Sequence, residues 1–198
     1  MRFPRFSRRL LLPLLLAAGL GLTGSVVLLG GHTAPPGGRL VEAVVGDVRR
    51  TSPIAPLTTE AESDVVALVF AGLMRPGPDG TPEPDLAEYW EVTPDGLTYT
   101  FRLRAGLTWH DGVAVTASDV AFTIGQIQAG DFSGPPALST AWSGVQVFVS
   151  DQRTVLFHLV EPSAEFLSRV SIGLVPRHLA DEMAAHGFDI PTFERRPV

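Results

Sequence analysis

Trp109-His110-Asp111-Gly112 sets an imidazole beside a carboxylate and an indole, the residue types of a proton-transfer pair or of a metal ligand set. Either chemistry needs more. Acid–base work needs a third group to orient the histidine, and a metal needs further ligands at the right spacing. Neither stands nearby, since His32, His158, His178 and His186 are scattered along the chain. Asp-Gly also recurs at Asp79-Gly80 and Asp95-Gly96, each time between structural elements. Glycine accepts the positive φ of a tight turn, and aspartate bonds its own downstream amide. The four residues are therefore read as a strand end and a turn.

His178, Glu182 and His186 fall at i, i+4 and i+8, on one face of a helix. The two histidines would then stand about 12 Å apart along the axis, too far for one ion, and the face is read as solvated. Trp90, Trp109 and Trp142 are read as core aromatics. The chain has no Gly-x-Ser-x-Gly elbow and no glycine loop closed by Lys-Thr. With no cysteine, disulfides, thiolate metal sites and cysteine nucleophiles are excluded. These residues point to no enzyme and to no cofactor.

Charge narrows the partners. All 21 acidic residues lie at or after Glu42, and four arginines lie within the first nine positions. From Arg39 onward 11 arginines face 21 acids, a formal charge of −10, with no basic stripe interleaved with aromatics. Such a surface repels phosphate backbones, so nucleic acid is not expected as a partner.

The same asymmetry marks the N-terminus as an address. Residues 1–9 form a basic n-region, and residues 10–31 are an uncharged, mainly apolar stretch, roughly 33 Å long if helical. Basic residues before such a stretch keep that end cytoplasmic and send the rest across the membrane. The stretch is read equally as a cleaved signal peptide or an uncleaved signal-anchor helix. Ser7-Arg8-Arg9-Leu10-Leu11-Leu12 also resembles a twin-arginine export signal, with Pro13 in place of its usual lysine. Residues 32–39, with Pro35-Pro36-Gly37-Gly38, form a linker.

Residues 40–198 carry the fold. Residues 40–45 look like a first strand. Thr59 and Glu62 form a capping box opening a helix that sets Val66, Val69, Phe70 and Leu73 on one face. Residues 75–80 are a turn, and residues 85–90 a short helical turn capped by Asp85. Strict alternation makes residues 97–104 the clearest strand, with Leu97, Tyr99, Phe101 and Leu103 on one face. A brief strand follows at 107–109. Thr116 caps a helix with Asp119 at N3 and Val120, Ile124 and Ile127 as its apolar stripe. Residues 130–136 are a loop, residues 145–149 and 154–159 a hairpin, and short helices begin near Pro162 and Pro176, the second ending at Gly187. The class is mixed α+β, or part of an α/β body.

Several of these pieces together resemble one family. Gly72-Leu73 with Arg75, Asp79-Gly80, Pro84-Asp85-Leu86-Ala87, Trp90, Asp95-Gly96-Leu97, Phe101-x-Leu103-Arg104, Trp109-His110-Asp111-Gly112 and Thr116-Ala117-x-Asp119-Val120 are similar to the N-terminal lobe of family 5 of the bacterial extracellular solute-binding proteins, the peptide/nickel-type group. Weaker similarity runs from Leu40 to about His178. The resemblance implies an α/β fold of the type II periplasmic-binding-protein kind, here an incomplete N-terminal lobe, because family members are commonly much longer. It implies an exported, extracytoplasmic substrate-binding component of an ABC importer. The expected solute is an oligopeptide or dipeptide and the expected partners are ABC permease subunits in the membrane. It also sets Arg49, Arg50, Thr51 and Ser52 where the family's cleft wall begins, as candidate ligand contacts. The alternatives are a membrane-anchored interaction or ligand-sensing module that does not transport and, weakest, an exported hydrolase.

Overall fold

The structure, a computed structural model, describes Val44 and residues 46–180. The chain divides into two units, residues 1–43 and 44–198, and every described residue belongs to the second. The n-region, the apolar stretch 10–31, the linker 32–39, most of the expected strand 40–45, and Glu182, His186 and Gly187 lie outside the described residues. Among the described residues no helix is long and apolar enough to cross a membrane.

Helix α1 (Glu60–Val69) opens on the expected capping box: the Glu62 amide donates to Thr59 Oγ1 at 3.1 Å, and the Thr59 amide to Glu62 Oε2 at 3.3 Å. It ends earlier than its apolar pattern suggests. Phe70 and Leu73 are buried beyond its last turn, Val66 and Val69 pack against the core from within it, and Leu68 is 87% exposed. The expected turn at 75–80 is the tip of a small hairpin, β1 (Met74–Pro76) with β2 (Pro82–Pro84).

A four-stranded antiparallel sheet follows, in the order β3 (Ala87–Val92), β4 (Thr98–Leu103), β6 (Thr154–His158), β5 (Gln146–Asp151). β4 and the β5–β6 hairpin were expected. β3 corrects the helical turn expected at 85–90. A register shift between Ala87 and Tyr89 interrupts the strand against β4, so its burial loses the two-residue period by which a strand is recognised. Helix α2 (Ala117–Gln128) begins after Thr116 as expected, whereas α3 (Pro136–Trp142) has no counterpart in the sequence reading; proline at its first turn is suited to a helix start. The brief strand at 107–109 is reduced to an isolated bridge between Thr108 and Ala114.

One face of the sheet makes the core. Tyr99, Phe101 and Leu103 of β4 and Val155 and Phe157 of β6 are buried, and Val120, Ile124 and Ile127 of α2 join the same cluster. Trp142 and Phe166 fill it: Phe157 meets Phe166 at 5.4 Å, Phe101 at 5.7 Å and Trp142 at 6.0 Å between ring centroids. Trp142 is wholly buried, and Trp90 and Trp109 pack against the same cluster.

Two chain passages run side by side where the sheet meets the rest. After α4 (Phe166–Arg169), the Leu73 amide donates to the Val170 carbonyl and the Leu174 amide to the Ala71 carbonyl, both at 3.0 Å. Gly72 sits between these bonds, and a Cβ there would stand 2.6 Å from the backbone carbon and oxygen of Ser171. That obstacle is main chain, so it does not swing away. Gly72→Ala should therefore lose about 1–3 kcal/mol by overpacking, or several degrees in melting temperature. Gly125→Ala, inside α2 with nothing within 4 Å of its Cβ, is the control and should gain about 0.5–1 kcal/mol. Equal effects in a thermal melt would refute this account of Gly72.

Candidate functional site

Residues 49–59 form a loop gathered onto one carboxylate. Glu62 is 1% exposed, and its two oxygens divide the loop between them. Oε1 accepts the amides of Arg49 and Arg50, each at 3.1 Å. Oε2 accepts the Thr58 amide at 2.7 Å, the Thr58 hydroxyl at 3.1 Å and the Thr59 amide at 3.3 Å. The Thr58 amide is the strongest influence holding this carboxyl down to a pKa of about 2. Burial works against it, and the Arg49 amide, the Thr58 hydroxyl and the Arg50 amide add to the lowering.

The four residues that the family resemblance marks as cleft wall lie at the start of this loop, and they divide by pairs. The Arg49 guanidinium reaches outward to Asp47 at 3.0 Å, with both side chains more than three-quarters exposed, and Arg50 Nη1 donates to the Pro56 carbonyl at 3.2 Å. Thr51 and Ser52 turn inward and are 4% and 1% exposed. Their hydroxyl oxygens are buried and make no hydrogen bond. Two adjacent orphan hydroxyls are unusual, because burying a hydroxyl without a partner costs about 1–3 kcal/mol. The structure thus brings Arg49, Arg50, Thr51 and Ser52 together through their backbone, and leaves the two hydroxyls with unused bonding capacity.

The Trp109–Gly112 stretch is the strand end and turn expected of it. The Gly112 amide donates to the Trp109 carbonyl at 2.9 Å, Gly112 has φ +88°, and Asp111 Oδ1 accepts the Val113 amide at 2.9 Å. One contact was not foreseen: His178 Nε2 stands 2.8 Å from Asp111 Oδ2, with the Trp109 ring 6.4 Å from the imidazole. The carboxylate does find a histidine, 67 residues away, and it is not His110. Asp111 is held below its ordinary value first by the Val113 amide, with His178 adding to this. The neighbouring carboxylate, Asp119, is already bonded to the Thr116 amide and hydroxyl and to the Arg177 amide. These contacts tie the turn and the start of α2 to the 3-10 turn at Arg177–Leu179. A partly exposed pair of this kind contributes little, so Asp111→Asn should move the urea midpoint only slightly. Among the described residues no three histidine or carboxylate side chains are placed to hold a metal ion.

Residues 81–192 match the profile of the bacterial extracellular solute-binding proteins, family 5, middle region. The chain belongs to this family. A probable peptide ABC transporter periplasmic-binding protein of Sinorhizobium fredii is 34% identical over 178 residues, covering 89% of this chain and 30% of that protein. The dipeptide-binding protein of Escherichia coli is 32% identical over 129 residues, covering 54% of this chain and 24% of its own length. Among solved structures, NikZ from Campylobacter jejuni in complex with Ni(L-His) superposes with a TM-score of 0.66 at 30% identity, over 78% of this chain and 30% of NikZ. The fold is thus that of the type II periplasmic binding proteins, as the family 5 resemblance implied. The chain spans less than a third of the length of these relatives.

Proposed function

We propose that this chain serves as the substrate-binding component of an ABC importer outside the cytoplasmic membrane, and that its solute is a short peptide. The observation that carries the reading is the family 5 relationship, with a peptide-importer relative 34% identical over 89% of the chain. In this reading residues 10–31 export the chain, either as a cleaved signal or as a retained anchor, and residues 40–198 hold the binding fold. ABC permease subunits are the partners that receive the solute.

Residues 49–52 form the contact wall. The family resemblance supports this placement, and the Thr51 and Ser52 hydroxyls, buried without a bonding partner, are the groups whose removal tests it. The test separates binding from folding. Thr51→Val with Ser52→Ala removes two buried hydroxyls that bond nothing, so the unliganded melting temperature should hold or rise. The melting-temperature increase produced by saturating dipeptides or tripeptides should shrink as affinity drops about tenfold or more. Failure of every peptide to raise the melting temperature of the folded chain would overturn the peptide reading. A shift with nickel–histidine alone would move the assignment to metal chelates. A fall in unliganded stability would make the hydroxyls structural.

A further inference from the structure

We propose that the free edge of β5 pairs with the same edge of a second copy of this chain, joining their sheets through Val147 and Val149. The inference is independent of the solute and of residues 49–52. It begins from the hydrogen-bond parity of the sheet. The Leu159 amide donates to the Leu97 carbonyl at 2.9 Å and the Leu103 amide to the Arg153 carbonyl at 2.7 Å, one at each end of the β4–β6 pairing. Alternate residues of β6 between these ends therefore turn their main-chain groups towards β4, and Leu156 and His158 turn theirs towards β5. Their partners in β5 are Phe148 and Gln146. The amides and carbonyls of Val147 and Val149 are left pointing away from the sheet, and among the described residues no bond from another part of the chain reaches them. Val145 is not free in this way: its amide donates to the Trp142 carbonyl at 3.3 Å, and its carbonyl accepts from Gln128 Nε2 at 2.7 Å.

An exposed edge is ordinarily guarded, often by charge. The opposite edge of the sheet, β3, carries exposed Glu88 and Glu91 and a register shift within the strand. β5 has no charged residue from Val145 to Ser150, and its own register shift falls after Val149. Phe148 is 53% exposed and Val149 43%, so the strand is open to a partner. A second copy fits because the free set is its own complement. In an antiparallel pairing about a two-fold axis at Phe148, each Val147 faces the partner's Val149, and both pairs exchange their amide and carbonyl bonds. Phe148 then meets the partner's Phe148 as a non-hydrogen-bonded pair with Cα atoms about 4.5 Å apart, and the two exposed rings cover each other. Elsewhere the excess of acids over arginines makes two copies repel, so an uncharged edge is where they can meet. Pairing over so short a strand buries less than the roughly 1,200 Å² of a standard interface, so the contact is weak and a covalent trap is the suitable measure.

The chain contains no cysteine, so single cysteines introduced into the full chain report the contact. Phe148→Cys puts the thiol on the axis, where the two Cα atoms stand at a separation that a disulfide spans. In air-saturated buffer Phe148→Cys should form a disulfide-linked dimer about tenfold or more faster than Val149→Cys or Tyr89→Cys, read on non-reducing gels. Val149→Cys faces the partner's Val147 and not itself, and Tyr89, 49% exposed, lies on the guarded strand. Adding Val149→Pro to Phe148→Cys removes an outward amide that β6 does not use, so the fold should persist while cross-linking falls to the rate of the other two. Equal rates for the three single variants would mean random collision and overturn the inference, as would fast cross-linking that survives Val149→Pro. Should the proline variant not fold, the comparison of the three single variants decides. Phe148→Cys staying monomeric while trialanine protects the Val147 and Val149 amides from exchange would give the edge to an extended peptide. Protection of those amides at every concentration, with nothing added and no dimer, would give it to the chain's own remaining residues. Either result overturns the second copy.

Discussion

Phe157→Ala should destabilise the protein by about 3–5 kcal/mol, enough to lower the melting temperature by roughly 10 °C or more. Phe157 is wholly buried on β6, and its ring meets those of Phe101, Trp142 and Phe166 with centroids between 5.4 and 6.0 Å. Each neighbour comes from a different element: Phe101 from β4, Trp142 from α3 and Phe166 from α4. Collapse around the cavity would require three elements to move at once, which places the cost at the upper end for such truncations. Two of the three contacts are also edge-to-face, a geometry worth something beyond the area buried. Leu156→Ala supplies the control. Leu156 is the adjacent residue of the same strand, so it faces away from the core, and it pairs with Thr100 and Phe148. Its loss should cost no more than about 1 kcal/mol. Chemical denaturation of both variants checks the contrast, and equal losses would mean that the core does not lie on the face described.

The core face of the neighbouring strand β4 was legible in the sequence. Alternation along residues 97–104 assigns Tyr99, Phe101 and Leu103 to one face, and all three are buried. The capping box at Thr59 and Glu62 and the start of α2 at Thr116 were legible for a similar reason, since their partners lie three residues apart. What escaped the reading was non-local or out of phase. β3 hides behind its bulge, and α3 is seven residues with neither a side-chain cap nor an acidic first turn. The mixed α+β or α/β class came from the pattern of elements, and the type II periplasmic-binding-protein fold from the family resemblance. The candidate wall at residues 49–52 came from the same source, but the burial of Thr51 and Ser52 could not, because polar residues ordinarily stay in water. His178 bonding Asp111 and Glu62 gathering Arg49 and Arg50 are contacts that only the folded chain creates.

Glu62→Gln should cost stability, with a pH dependence that identifies the cause. The carboxyl is held from its ordinary 4.5 down to about 2, so folding favours its ionised form. A depressed acid contributes stability that is fully present above its unfolded value and is lost as the pH falls through the folded one. The difference between wild type and Glu62→Gln should thus be flat from about pH 5 upward, at on the order of 3 kcal/mol, and should shrink steadily towards pH 2. Subtraction is what isolates Glu62. Asp79, Asp95, Asp111 and Asp151 are also held low, each by bonds within its own turn, and they contribute equally to both proteins. Glutamine matches the shape of the side chain but carries one acceptor where the carboxylate has two. Its amide nitrogen must therefore face either the Arg49 and Arg50 amides or those of Thr58 and Thr59, donor against donor. Urea midpoints from pH 3 to pH 8 test this directly. A difference independent of pH would mean that the carboxylate's charge contributes nothing and only its shape matters. A difference that grows on acidification would reverse the sign and refute this account of Glu62.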